Sequence, residues 1–315
     1  MNKILPLIFA FTITLSTLPL VVKAEDEVEN QRLIIAPFTG YRYDIYQYSI
    51  PLGTSSTDKT LSKLTWKNHI SETGIKIKTI PEENQFNLLG QIKYGHILSK
   101  SKNQDSDWDD IGEHSKSFSS VKGNIFDLSG AVGFSKILAK TFVTYYAGID
   151  YTKYQMKDYG LYYSINRFYN RNVNNLLGQR ESKSTLTSKY TFDNYAPWLG
   201  VSINYPINDK ITFIPTVKVY LFYLSSQANW ILRNDLKHNP SFIQKALGFG
   251  ASFDGELLYK YNNNLDLKTN IGIKRLDMFQ GRDKMFIANG EDFTLDLKTL
   301  SFLSSSISCG IRYKL

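Results

Sequence analysis

The sequence predicts an all-β protein, a transmembrane antiparallel up-and-down β-barrel of about ten strands with long extracellular loops. Three observations predict it. Apolar and polar residues alternate with period two from about residue 33 to the end, as strands do when one face meets lipid and the other a lumen. The connections between these segments are short and long in turn. Beyond the first 25 residues no run of about 18 apolar residues occurs, which excludes a spanning helix there.

In chain order, the N-terminus comes first. Met1-Asn2-Lys3 is followed by an apolar run from Ile4 to Val22, and Val22-Lys23-Ala24 precedes the acidic Glu25-Asp26-Glu27. A basic start, an apolar core and small residues at a cleavage site make a secretory signal peptide over residues 1–24. Residues 25–315 are then the barrel, placed in the outer membrane of a Gram-negative cell. Strands are expected at 33–50, 61–79, 86–100, 120–137, 140–157, 188–206, 210–228, 245–261, 265–280 and 298–315. Many exceed the five or six residues of an ordinary globular strand, and ten or more tilted residues are what a bilayer crossing requires.

Short connections are expected near Pro81-Glu82-Glu83-Asn84, Leu138-Ala139-Lys140, Ile207-Asn208-Asp209 and Asn262-Asn263-Asn264, and long ones over 51–60, 101–119, 158–187, 229–244 and 281–297. Outer-membrane barrels have short periplasmic turns and long outer loops, and an even strand count returns both termini to the periplasm. The last strand shows the alternation best. Ile307, Cys309, Ile311, Tyr313 and Leu315 are assigned to lipid, and Ser306, Ser308, Gly310, Arg312 and Lys314 to the lumen. Ile211, Phe213, Pro215, Val217, Val219, Leu221 and Tyr223 alternate in the same way, although a proline inside a strand interrupts its ladder.

Composition narrows the function classes. Tyr (21) and Phe (19) are abundant enough for membrane-interface girdles, and Trp66, Trp108, Trp198 and Trp230 are read as interface or loop-packing aromatics. The single cysteine, Cys309, excludes an intrachain disulfide. The net charge of +8 suits either contact with anionic lipid headgroups or a solvated lysine-rich surface. No nucleic-acid module, zinc-ligand spacing or phosphate loop occurs, no cofactor is implied, and a monomer is expected.

The sharpest chemical feature is Asp105-Ser106-Asp107-Trp108-Asp109-Asp110, in the second long connection. Carboxylates at i and i+2 of an extended chain point the same way and raise one another's proton affinity, so one can act as a base on water. A solvated acidic loop and a casual Ca²⁺ site are the alternative readings of the same residues. Of the histidines, His69 and His96 fall within strands, and His114 lies in the same connection as the acidic run.

Leu61-Ser62-Lys63-Leu64-Thr65-Trp66-Lys67-Asn68, Asp105-Ser106-Asp107-Trp108-Asp109 and Phe126-Asp127-Leu128 resemble the early strand signature, the D-x-D-W-x-D loop and the next strand of the omptins, outer-membrane surface proteases. Ala147-Gly148, Lys153-Tyr154 and Pro197-Trp198-Leu199-Gly200 also fit, so the resemblance runs thinly from about residue 40 onward. It implies a ten-stranded barrel and an endopeptidase in which an Asp pair faces an Asp-His pair across a water. Asp105 and Asp107 match the first pair. Where the second should follow Ser225-Ser226, the chain reads Gln227-Ala228-Asn229-Trp230-Ile231, and the nearest candidates are Asp235 and His238. The resemblance also implies lipopolysaccharide as activator. Lys153 matches one of its basic ligands, while Ile149, Tyr151 and Asp193 stand at the others. Peptide or host-protein substrates would follow. The missing Asp-x-His equally motivates a non-catalytic surface barrel, an adhesin, surface antigen or small pore.

Overall fold

The computed structural model describes residues 33–51, 59–80, 83–138, 141–166 and 182–315. The signal peptide expected at residues 1–24 lies outside them. Twelve strands form one antiparallel sheet: β1 Leu33–Pro51, β2 Thr60–Thr79, β3 Phe86–Ile97, β4 Lys102–Trp108, β5 Glu113–Leu138, β6 Thr141–Asn166, β7 Leu186–Pro206, β8 Ile211–Trp230, β9 Phe242–Lys260, β10 Leu265–Phe286, β11 Asp292–Asp296 and β12 Thr299–Lys314. The sheet closes because β1 pairs with both β2 and β12, which leaves no edge on the ring. Ten strands make that ring. β3 and β4 are two parts of one broken strand between β2 and β5, and β11 pairs only with β10.

The expected strands are all present. Most of their ends agree within a few residues, but the outer ends of β5, β6 and β10 run on well past the expected limits, to Glu113, Asn166 and Phe286. The connection expected over 101–119 is accordingly a strand hairpin, β4 with β5, turned at 109–112. Polar residues there keep the ladder without the apolar alternation that marks a lipid-facing strand. Pro215 does interrupt its strand: pairing with β7 is lost between Phe213 and Thr216, since proline lacks the N–H, while Pro215 keeps its place opposite Gly255 on β9.

Outward side chains such as Val217, Val219, Leu221, Ile271 and Ile311 are exposed and apolar. Two aromatic belts bound them. Tyr94, Phe126, Tyr151 and Tyr195 lie side by side on β3, β5, β6 and β7, with ring centroids of Tyr151 and Tyr195 5.0 Å apart. Phe86 and Phe134 sit 5.5 Å apart in the lower belt, with Tyr145 opposite Phe134. Ten residues separate Tyr195 from Tyr205; at ~3.3 Å each and a ~40° tilt they rise about 25 Å, the height of the apolar band of outer-membrane barrels. Everything above Tyr195 therefore stands in the external solvent.

The interior is bridged at two levels. Above the upper belt, Tyr46 of β1 stacks on Phe192 of β7, on the opposite wall, at 4.8 Å, and its hydroxyl lies 3.0 Å from that of Tyr190. Trp66, Tyr48, Tyr154 and Phe222 complete this layer. Trp66 and Trp198, read from the sequence as interface or loop aromatics, instead point inward and are 1% and 3% exposed. Below the layer the bridges are ionic: Arg42 reaches Asp44 (3.0 Å), Glu72 (3.3 Å) and Asp127 (2.6 Å), Glu256 holds Lys76 and Lys268, and Asp150 holds Lys274.

Candidate functional site

The break between β3 and β4 positions the acidic run. At the break, the Ser101 hydroxyl accepts the His69 N–H (2.8 Å) and the Ser101 carbonyl accepts the Val121 N–H (3.1 Å), so the chain re-enters the sheet in register. Alternation then turns Asn103, Asp105 and Asp107 inward, opposite Trp66, Leu64 and Ser62 of β2 and Ser119, Ser117 and Ser115 of β5. Asp105 and Asp107 thus share one face of a strand in the mouth of the barrel, above the aromatic layer.

The two carboxyl groups differ in environment. Burial pushes the proton affinity of Asp105 well up, and the charge of Asp107 adds to it. Burial raises Asp107 as well, but a hydrogen bond from Ser62 and the charges of His114 and Arg233 hold it back. The pair therefore holds its proton unequally, with Asp105 the more basic and Asp107 the more acidic member. His114 reaches this site through a β-bulge. Asp107 pairs with Ser115 and Trp108 with Glu113, which leaves His114 as the extra residue and re-aims its ring. The ring is nearly buried, with Nδ1 3.7 Å from Asp109 Oδ2.

Two further carboxylates face the mouth. Asp158 Oδ2 accepts hydrogen bonds from Asn103 (2.8 Å) and Ser188 (2.7 Å), and burial pushes its carboxyl up to about 6. Asp283 accepts one from Gln244 (3.1 Å), and burial raises it to about 7. Neither residue belongs to a motif; only the inward parity of its strand could have singled it out. The cation that faces the Asp105–Asp107 pair is Arg233, which the sequence reading also missed.

Arg233 stands in the fourth outer connection, where the second catalytic pair was expected. Asp235 takes two hydrogen bonds from its guanidinium, at 2.7 and 2.6 Å, which hold the Asp235 carboxyl low. His238 Nδ1 lies 3.3 Å from Asn229 Oδ1. Among the described residues no hydrogen bond or ion pair joins Asp235 to His238, or either of them to Asp105 or Asp107; Arg233 is the electrostatic link between the two groups. No three His, Cys, Asp or Glu side chains among the described residues converge as metal ligands would.

On the outer wall, Lys153 of β6 pairs across to Phe126 and to Asp193, and Asp193 accepts the Tyr151 hydroxyl at 2.5 Å. Higher up, lysines face one another directly. Lys67 opposes Lys102, and Lys122, Lys157 and Lys189 form a row across β5, β6 and β7.

Residues 38–315 match the model of a family described as Protochlamydia outer membrane protein. Among curated proteins none matches the sequence. Solved outer-membrane barrels resemble the chain. The outer membrane protease OmpT from Escherichia coli aligns with a TM-score of 0.72 at 11% identity, covering 90% of this chain and 97% of that one. The translocator domain of the autotransporter NalP from Neisseria meningitidis reaches 0.40 at 10% identity, covering 97% and 96%. OprG from Pseudomonas aeruginosa reaches 0.37 at 10% identity, covering 90% and 96%. At 11% identity the likeness to OmpT is one of fold.

Proposed function

This chain belongs to the Protochlamydia outer membrane protein family, a β-barrel of the Gram-negative outer membrane, and from that premise we propose that its mouth is a surface hydrolytic site of the carboxylate type, acting on peptides. The observation that carries the reading is the Asp105–Asp107 pair, inward on one strand face and unequal in proton affinity. Asp107, the more acidic member, takes a proton from an attacking water. Asp105, the protonated member, donates to the carbonyl oxygen of the scissile bond. Arg233 steadies the negative charge that develops there, and His114 orients Asp107 and relays its proton. Positioned general acid–base groups of this kind contribute about 10²–10⁴ in rate. Asp107, the more acidic of the pair, and Asp158, which ionises once pH passes about 6, favour substrates with basic side chains. Asp235 then serves to hold Arg233, and His238 stands outside the reacting set.

Lipopolysaccharide or another anionic headgroup is the proposed wall partner. The facing lysines Lys67 with Lys102, and Lys122 with Lys157 and Lys189, repel one another unless anions lie between them, and Lys153 adds to them just above the aromatic belt.

The test is turnover of a fluorogenic peptide bearing two adjacent basic residues, by barrel refolded with lipopolysaccharide. Asp107→Asn should lower kcat about 10²-fold or more, with heat-modifiable gel mobility unchanged, while His238→Ala should leave kcat near wild type. Wild-type turnover no greater than that of an Asp105→Ala, Asp107→Ala double variant would sink the reading. The rival, a non-catalytic surface barrel such as an adhesin or antigen, is favoured by Arg233, a permanent cation where a proton-transferring histidine would be expected. The contacts of Tyr46 with Phe192 and Tyr190 across the mouth argue against its small-pore version.

A further inference from the structure

A ladder of polar side chains descends one wall of the mouth. Asp107, Asp105 and Asn103 succeed one another down the inward face of β4, beside Ser115, Ser117 and Ser119 of β5. The next inward residue of β5 is Val121, and Asp158 of β6 stands opposite it, one step below Asn103. Asn103 therefore lies between two carboxyl groups, with Asp105 above it and Asp158 below. Asn103 and Asp158 are buried, and Asp105 is half-buried.

The Asn103 amide has two unlike ends. Its nitrogen donates to Asp158 Oδ2 at 2.8 Å, and its oxygen has no hydrogen-bond partner among the described residues. The orientation follows from Asp158. An ionised carboxylate only accepts, so it takes the NH₂ end of the amide and turns the C=O end away. Asp158 has no ion pair among the described residues, so this hydrogen bond and the one from Ser188, at 2.7 Å, answer its charge. Asp105 stands two residues along the same strand face. A carbonyl oxygen beside a carboxyl group can only accept, which favours the protonated form over the anion. The charged groups that face Asp105 are Asp107, Asp158 and Arg233, with the Tyr48 hydroxyl nearby. The two acids act in the same direction as the amide oxygen, and Arg233 acts against them.

We propose that Asp158 is a positioning residue of the mouth: through Asn103 it presents a carbonyl oxygen to Asp105 and so keeps the Asp105 proton in place. A neutral amide at position 158 would pair with Asn103 and Ser188 without the cost of burying a charge. A carboxylate is the side chain that cannot donate, and so it permits only one orientation of the Asn103 amide. Asp158 itself touches no reacting atom. The proposal rests on the hydrolytic reading only for the use made of that proton, which goes to the scissile carbonyl oxygen.

The experiment is an infrared titration of the refolded barrel, in which the Asp105 carboxyl band is the one absent from Asp105→Asn. It is run beside the pH dependence of peptide turnover. In Asp158→Asn the charge is gone, and the introduced amide donates as well as accepts, so the Asn103 amide is free to turn its NH₂ end to Asp105. The Asp105 titration midpoint should then fall by about one pH unit or more. The alkaline limb of kcat should move with it, while heat-modifiable gel mobility stays unchanged. Asp283→Asn removes another buried acid, on β10, and should leave the Asp105 midpoint where it is. A midpoint unmoved in Asp158→Asn, or moved equally in Asp283→Asn, overturns the proposal whether or not peptides are cleaved. If wild type cleaves no peptide, the hydrolytic reading falls, and the midpoint still decides the role of Asp158.

Discussion

Arg42 in the lumen meets three carboxylates, Asp44, Glu72 and Asp127, within 3.3 Å, and also donates to the Tyr154 hydroxyl at 3.1 Å. Arg233 at the mouth grips one, Asp235, and faces Asp105 and Asp107 without an ion pair to either. Both regions bury acidic side chains on inward strand faces. In the lumen these acids meet cations, some on the same or the next strand, as Arg42 does for Asp44 and Glu72, and some from across the barrel, as Lys76 does for Glu256 and Lys274 for Asp150, so that burial and pairing offset each other. In the mouth Asp158 and Asp283 are buried and Asp105 is half-buried, against serine, asparagine, glutamine and aromatic side chains, and none of the three has an ion pair among the described residues. The first arrangement holds a barrel together. The second keeps protons on carboxyl groups near neutral pH, which costs stability and is the condition of acid–base chemistry.

The strongest way to break the contrast is Arg42→Met. It strands Asp44, Glu72 and Asp127 with one fewer cation in a region only a few per cent exposed. Removing one partner from a buried ionic cluster costs about 3–5 kcal/mol. The urea midpoint of heat-modifiable gel mobility should fall accordingly. If Arg42→Met were as stable as wild type, the lumen ion pairs would be filling, and the distinction drawn between lumen and mouth would fail.

Asp158→Asn tests the other side, with the opposite sign. An ordinary aspartate titrates near 3.9, whereas Asp158 in the folded mouth titrates at about 6. Below pH ~4 the carboxyl is protonated in both folded and unfolded chains and contributes no difference. As pH rises from ~4 to 6, the unfolded chain releases its proton first, so the folded state loses ground, by about 3 kcal/mol at most once pH passes 6. The amide oxygen of Asn can still accept from Asn103 and Ser188 but never ionises. The variant should therefore gain stability at pH 8 and match wild type at pH 4. A loss at pH 8 would mean that the Asp158 charge is stabilised by a group not recognised here.

The contrast also explains what could be read from the sequence. A lipid-facing strand must alternate, so Ile307, Cys309, Ile311, Tyr313 and Leu315 revealed both the strand and its outward face, and the exposure of Ile307 and Ile311 agrees. Above the membrane neither face of a strand is tied to lipid. There β4 and the outer part of β5 read as a loop, although their backbones continue the ladder. The Asp105-x-Asp107 spacing was legible because it is local. Arg233, Asp158 and Asp283 were not, since what makes them notable is a partner, or the lack of one, supplied by strands far apart in sequence. His114 depended on a bulge, a one-residue shift of register that leaves no compositional mark. Trp66 was misread for a related reason: a tryptophan on a barrel strand suits the interface and the interior equally well until its parity is known.

The smallest effect concerns the outer wall, where charge is neither paired as in the lumen nor buried as in the mouth. Lys157 stands between Lys122 and Lys189 on adjacent strands. Like charges placed directly opposite destabilise a sheet, and each opposite-charge pair contributes roughly 0.2–1 kcal/mol. In a zwitterionic detergent Lys157→Glu should therefore raise stability by a few tenths of a kcal/mol, toward the low end because the pairs are exposed. In vesicles of anionic lipid the order should reverse, since each lysine near such a surface gains about 1 kcal/mol from it. The informative result is the change of sign between the two media. A variant more stable than wild type in both would mean that the lysine row is only a solvated surface; one less stable only beside anionic headgroups would show that the repulsion along the row is tolerated for the sake of the anions it meets.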